Sequence, residues 1–396
     1  MFRRIDLLLL GLTVVLTLFG LAMIASVSVF ESYQITTRLV QQGMMATPTN
    51  SFYLLRSFEH VIVGLVTLGL TTVIPYHFWE RHARTLYFIS LALLVAVLIP
   101  GLNAGWGTSS SWLRLGPLPS IQPSEIFKLT FIFYLAVWLQ KREQLIETFK
   151  EGFIPFATLL VVSTLIIAIE PDFGTFLILC GIAIIMFFIA GGNVIHLFLG
   201  GGLAGVLGLP IILHKQYIRA RFLAFIRPND PTIAESIGFQ IKQALIAIGS
   251  GGPFGVGYGK SIQKFGYLPE VQADMIFSAM AEELGFFRLL IVLGMYALLI
   301  YRGYRIAQNA PDRFGFLVAT GITSWIAVQT GVNVAVNIGM FPLTGLTLPF
   351  ISYGGSSLFG LLAGVGILLN ISAHSTESVS TARREKKKTG LARRFA

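Results

Sequence analysis

Between residues 266 and 286 the sequence reads GYLPEVQADMIFSAMAEELGF, and Asp274, Ser278 and Glu282 recur in it at helical spacing. Residues four apart share a helix face, so the spacing predicts one polar edge, with Glu270 a turn earlier. A carboxylate placed there can take a proton from a hydroxyl nucleophile, and burial or nearby cations would tune its pKa. It can equally bind a coupling ion in a transporter. Spacing alone leaves both open.

Other ionisable groups stand in or beside apolar runs. Arg56, Glu59 and His60 lie three to four apart and read as an internally paired cluster facing a helix bundle. Glu125 and Lys128 form an i, i+3 pair after Pro123, with Ser124 as the expected N-cap and a local ion pair as the plain alternative. In IEPDFGT (169–175), Glu170 and Asp172 mark a turn where an Asp commonly caps a helix, with a cation or substrate contact as the alternative. The stretch 339–357, GMFPLTGLTLPFISYGGSS, has two prolines, four glycines and the hydroxyls of Thr344, Thr347, Ser352, Ser356 and Ser357. Irregular backbone at membrane depth is tolerated where it is buried or lines a polar cavity, so this loop reads as the wall of a site.

GSGGPFGVGYGKS (249–261) looks like a phosphate-binding loop. The nucleotide-binding pattern needs a Gly where Phe254 stands, and it needs a strand before and a helix after. ATP binding is therefore excluded. The glycines are expected to shape a turn, with backbone N–H groups facing a phosphate.

The elements that must position these residues are membrane helices. The chain of 396 residues is 54% hydrophobic and 12% charged, against about 25% charged in soluble proteins. Several apolar runs reach the ~20 residues that cross a bilayer. The fold expected is all-α and polytopic, with about ten spans: 5–28, 53–75, 85–102, 124–140, 153–170, 174–190, 195–213, 276–301, 314–337 and 356–373. The first is read as an uncleaved helix. The single cysteine, Cys180, excludes an intrachain disulfide or a thiolate metal cluster.

Even parity puts both termini on one side. MFRR, ERHAR (80–84), KREQ (141–144), YRGYR (301–305) and RREKKK (383–388) all fall on that side, which the positive-inside rule makes cytoplasmic. Residues 1–373 read as one transmembrane domain and 374–396 as a basic tail held at the inner leaflet. The long outer loop 214–275 carries Lys215, Arg219, Arg221, Arg227, Lys242, Lys260 and Lys264. Its apolar stretches suggest short helices at the membrane surface, and its charge suits an anionic lipid partner. Nothing points to nucleic acid.

WLRLGPLPSIQPSEIFKL, EPDFGT, GFQIKQALIAIGSGG, GYLPEVQADMIFSAMAEELGF and GMFPLTGLTLPFISYGGSS resemble, in order, the signature stretches of the SEDS (shape, elongation, division and sporulation) proteins. These are polytopic peptidoglycan glycosyltransferases that include FtsW and RodA, and the resemblance spans nearly the whole chain. It implies a ten-helix bundle polymerising lipid II outside a bacterial cytoplasmic membrane. It also implies a class B penicillin-binding protein, a transpeptidase, as partner, alongside other division proteins and membrane lipids. Asp274 stands where the family carries its essential extracytoplasmic aspartate. GYLPEVQAD and TGLTLPFISYGGSS look closer to the division members than to the elongation members, which usually carry His-Thr where Gln272-Ala273 stand here. Ser111 occupies a position where family members commonly have Arg.

The reaction so implied moves a disaccharide from undecaprenyl pyrophosphate to a sugar hydroxyl, with inversion. It needs a base and positive charge on the leaving group. Asp274 is the expected base. Lys128, Arg219, Arg221 and Lys242 are the expected pyrophosphate contacts, and Glu125, Glu270, Ser352 and Ser356 further substrate contacts. Mg2+ or Mn2+ is an open option as cofactor. The rivals are a flippase or transporter of lipid-linked precursors and an elongation-type polymerase.

Overall fold

Apolar runs of this length leave no water to bond their backbone, so each must close its hydrogen bonds as a helix. The computed structural model describes residues 5–99, 111–113, 120–170, 172–202, 216–228, 230 and 237–392. Helix α1 spans Leu7–Val27 and α2 Val29–Gln41. Helix α3 spans Phe52–Val73, α4 Tyr76–Val97, and α5 Pro123–Lys141. A π-helical turn, Phe149–Phe153, leads into α6, Ile154–Ile169, and α7 spans Phe173–Ile189. Then come α8 (Gln216–Ile226), α9 (Ile237–Gly251), α10 (Ile276–Gln308), α11 (Arg313–Asn337) and α12 (Gly355–Ala392).

Six of the described helices are long and apolar enough to cross a membrane: α1, α3, the π turn with α6, α10, α11 and the first part of α12. Helix α7 is apolar but shorter. Helices α4 and α5 occupy expected spans yet carry Glu80, Arg81 and Arg84, and Glu125, Lys128 and Lys141. The expected span 195–213 falls mostly outside the described residues. Two boundaries differ from the sequence expectation. Helix α4 begins at Tyr76, right after Pro75, so ERHAR lies on its first turns and not in a loop. Helix α10 continues past the apolar run through YRGYR to Gln308. Helical hydrogen bonding continues where the apolar run stops. Helix α2 was not anticipated, because its sequence, VFESYQITTRLVQ, is too polar to extend the apolar run that ends at Ser28.

The centre of the bundle is α11 and α12. Across their most apolar stretches 72% and 89% of residues are buried, against 28% in α3 and in α10. The former are enclosed by protein; the latter leave an apolar face for lipid. Helices α8 and α9 confirm that the long loop holds short helices.

Polar contacts tie the helix ends together in two sets. At one end Arg302 pairs with Asp6, and Tyr76 O–H and His77 meet Asp312. There Asn370 Oδ1 accepts from Tyr76 N–H at 3.0 Å, and Arg313 donates to the Ala190 carbonyl at 2.8 Å. The cationic segments near residues 80, 141 and 301 belong to this end. At the other end Arg221 donates to Leu343 O at 2.9 Å, Gln122 N–H to Ser356 Oγ at 3.2 Å, and Tyr353 N–H to Gln272 O at 2.8 Å.

Candidate active site

Asp274 sits in the connection just before α10, not on the helix face that its spacing suggested. Residues 271–275 form turns, and helix begins only at Ile276. The chain reaches it through Glu270 at φ 53°, whose carbonyl accepts from Ala273 N–H at 2.9 Å and Met275 N–H at 3.3 Å. Two amides of α11 then hold the Asp274 carbonyl: Asn333 Nδ2 donates at 3.0 Å and Asn337 Nδ2 at 2.9 Å. Asn333 also donates to Leu346 O at 2.7 Å, and Gln329, one turn back, to Thr347 O at 2.9 Å. One face of α11 thereby joins the Asp274 turn to the loop 339–354.

Asp274 is 8% exposed, and its Oδ1 has no hydrogen-bond partner. Loss of water and the neighbouring Glu270 charge push its carboxyl up to about 7, while Arg221 opposes the shift. At neutral pH such a group is a competent proton acceptor. Arg221 lies over the Tyr217 ring, 4.2 Å from its centroid, and its Nε is buried without a partner. The charges of Asp172 and Asp274 both act on Arg221 and Tyr217, which places them around one site.

Asp172 caps α7 as the plain reading holds, its Oδ1 accepting from Thr175 N–H at 2.9 Å, but its Oδ2 is buried and unpartnered. Glu170 is 2% exposed with neither oxygen partnered, and burial followed by Asp172 pushes its carboxyl up to about 8. The Thr344 hydroxyl is also buried and unpartnered. Buried polar atoms are ordinarily paired. This end of the bundle therefore concentrates unused hydrogen-bonding capacity, the condition for receiving a polar ligand.

The remaining expected site residues are placed differently. Lys128 is fully buried, 2.7 Å from Glu125, over Trp325 at 4.9 Å, and 3.5 Å from Gln329 Oε1. That is the local ion pair in the core. Gln122 caps α5 by position and Pro123 is its first residue, so Ser124 is not the N-cap. Arg219 and Lys242 are exposed on α8 and α9, and Glu270 is exposed. Ser352 Oγ accepts from Leu348 N–H at 2.8 Å and Ser356 Oγ from Gln122 N–H, so both brace the loop wall. Arg56 and Glu59 pair at 3.3 Å, but exposed and not toward the bundle; His60 turns in against Tyr353, 5.7 Å between centroids. Ser111, just before the first signature stretch, is buried, and Arg114, three residues on and the nearest arginine to it in sequence, lies outside the described residues.

Ser278 and Glu282 do not join Asp274. Ser278 donates to Asn337 Oδ1 at 2.7 Å. Glu282 belongs to the glycine-rich segment, which proves to be a brace for a broken helix. Gly285 has φ 75°, ψ 176° inside α10. The carbonyls of Glu282 and Glu283, freed by the break, accept from Val256 and Gly257 N–H at 2.9 and 3.0 Å. The N–H groups of Phe286 and Phe287 donate to Gly252 and Pro253 carbonyls. A Cβ on Gly285 would lie 2.1 Å from Gly255 N. These loop amides serve α10, which corrects the expectation that they face a phosphate.

The brace is completed by charge. Glu282 accepts from Ser261 Oγ at 2.5 Å and Ile262 N–H at 3.0 Å. Glu283 accepts from Ser26 Oγ at 2.6 Å and pairs with Lys264 at 3.1 Å; Lys264 also donates to Gly259 O at 2.7 Å. Sequence reasoning missed Asn333, Asn337, Tyr217 and this network. The only signal for the asparagines was their i, i+4 recurrence in an apolar helix. Among the described residues no three His, Cys, Asp or Glu side chains converge as a metal-holding group.

The comparisons with known proteins follow the same outline. The FtsW/RodA/SpoVE family profile, described as "Cell cycle protein", matches residues 6–377. Stage V sporulation protein E of Bacillus subtilis is 40% identical over 373 residues, covering 93% of this chain and 97% of its own. A probable peptidoglycan glycosyltransferase FtsW of Trichlorobacter lovleyi is 40% identical, covering 93% of each. Among solved structures, one reported under "Structural coordination of polymerization and crosslinking by a peptidoglycan synthase complex" aligns at TM-score 0.75 and 27% identity, covering 94% of this chain and 98% of that one. Rod shape determining protein RodA of Thermus thermophilus aligns at TM-score 0.65 and 27% identity, covering 93% and 96%.

Proposed function

Because the chain belongs to the FtsW/RodA/SpoVE family along nearly its whole length, we propose that it is a peptidoglycan glycosyltransferase that polymerises lipid II, with Asp274 as its base. The observation that carries the chemistry is Asp274: buried, unpartnered at Oδ1, held by its backbone, and beside Arg221. Asp274 takes the proton from the acceptor sugar hydroxyl as that oxygen attacks the anomeric carbon of the donor. The bond to undecaprenyl pyrophosphate breaks with inversion. Arg221 faces the developing charge, and exposed Arg219 and Lys242 draw the anionic headgroup toward the site. The energy resides in the pyrophosphate bond, so no nucleotide is required.

Lys128 and Glu125 support the site from within the core, through Gln329 and the loop wall. The Asp274 end faces outward and both termini face the cytoplasm, in keeping with the cationic segments at the opposite end. A class B penicillin-binding protein is the partner and septal synthesis the setting, since relatives at 40% identity are named for sporulation and as FtsW. A flippase would need polar capacity along both halves of the path. Here the opposite end binds its charges to one another, as in Asp6–Arg302 and the contacts of Asp312.

The test is purified protein with lipid II, alone and with a co-expressed class B partner, the products resolved on a gel. Glycan strands from wild type and none from Asp274→Asn are expected. Absence of strands from wild type with the partner present overturns the proposal.

A further inference from the structure

We propose that Asn333 and Asn337 are positioning residues for the glycosyl transfer, a two-amide clamp that sets the reach of Asp274 by holding its peptide carbonyl. The proposal rests on the reading of Asp274 as base. Its own observation is independent: two side-chain amides from successive turns of α11 converge on one carbonyl oxygen, at 3.0 and 2.9 Å. Helix N-termini are normally capped at their N–H groups, as Asn337 Oδ1 does here for Ser278; the residue before α10 is in addition held by its C=O.

Each amide is itself fixed. Asn333 Nδ2 also donates to Leu346 O at 2.7 Å. Asn337 Nδ2 also donates to Asn333 O at 2.9 Å, while its Oδ1 accepts from Ser278 N–H at 3.1 Å and Ser278 O–H at 2.7 Å. All three residues are at most 1% exposed. The Asp274 carboxylate, by contrast, has an oxygen with no partner. A side chain without full hydrogen bonding of its own takes its position from its backbone, and the backbone takes it from the clamp. The same Asn333 amide carries the loop 339–354 through Leu346. The base and the facing wall are thus set against one rigid helix, the arrangement on which a site of defined geometry depends.

The groups facing Asp274 are Glu270 on its own turn and Arg221 on α8, with Tyr217 of α8 reached by its charge. Releasing the clamp lets the peptide tilt, and the carboxylate gains water. The acid limb of the rate profile then moves toward the ordinary carboxylate range.

The experiment is a pH–rate profile of lipid II polymerisation for wild type, Asn333→Ala, Asn337→Ala and the double variant, with the class B partner present. Each variant is checked by size exclusion and thermal unfolding. The double variant is expected to lose ~100-fold in kcat, the scale of a misplacement of about 1 Å. Its KM for lipid II should change little, and its acid limb should fall below that of wild type. Each single variant keeps one amide on the carbonyl, so a smaller loss in the same direction is expected. These carry the comparison if the double variant does not fold.

An equal loss at every pH, with the acid limb in place, would show a purely structural role and overturn the proposal. Unchanged kinetics would do the same. Asp274→Asn is run alongside. Wild-type rates from it remove the base itself, a failure of the underlying reading that no asparagine variant can mimic, and the clamp then has nothing to position.

Discussion

Two acidic clusters flank the start of α10, and they differ in one respect. Glu282 and Glu283 are buried with their oxygens engaged by Ser26, Ser261, Lys264 and backbone N–H groups. Asp274 and Glu170 are buried and Asp172 is half-buried, each with a buried oxygen left over. Burying a carboxylate is costly unless it is paired, so a paired cluster explains itself as structure. An unpaired one persists only where something else requires it, and under the proposed function that something is the reaction. Burial alone does not separate these two clusters; the satisfaction of their oxygens does.

The comparison is tested most severely by Asp274→Asn. Activity should fall by about 10²–10⁴-fold, the usual contribution of a general base, with no loss of stability. The sign on stability follows from the raised carboxyl. The folded protein holds the proton up to about 7, whereas an unfolded Asp releases it near 3.9. Stability is therefore lost to the wild type as pH rises through that window. Asp274→Asn should match wild type at the acid end of the window and unfold at higher temperature above it, in a thermal scan across pH.

Glu283→Gln should do the reverse. Breaking a buried ion pair costs about 3–5 kcal/mol, visible as a fall in Tm, while the folded fraction keeps its rate of polymerisation. A double change of Lys264 and Glu283 to Met should recover much of the loss. Gly285→Ala comes next. The left-handed backbone alone costs about 1–3 kcal/mol, and the added methyl meets Gly255 N, so the scan should show a lower Tm and weaker protection of residues 252–259 from hydrogen exchange. The smallest effect belongs to Arg56→Ala. An exposed ion pair is worth about 0–1 kcal/mol, so stability should be unchanged within error.

Much of this was legible in the sequence, and for stated reasons. Apolar runs located the helices because a span must be long and apolar. Asp274 stood out because a carboxylate at the mouth of a span is expensive, and the signature stretches named the family. What escaped was partnership across the chain. Whether Glu282 or Asp274 was the free acid depended on Ser26, Ser261 and Lys264, whose contact no local spacing encodes. The break at Gly285 was hidden because the apolar pattern runs straight through it. Helix α2 was hidden by the opposite effect, a helix that continues after the apolar run ends, through polar residues such as Glu31, Gln34 and Arg38. Asn333 and Asn337 look like ordinary polar residues of a bundle helix until their common acceptor is seen.

The most direct measurement pairs one variant from each cluster. Specific activity on lipid II and Tm would be determined for Asp274→Asn and Glu283→Gln, with the class B partner present. Asp274→Asn is expected to be inactive and at least as stable as wild type at pH 8, and Glu283→Gln to be less stable with its activity per folded molecule retained. An active Asp274→Asn, or a Glu283→Gln that keeps its stability and loses its activity, would contradict the division between site and scaffold.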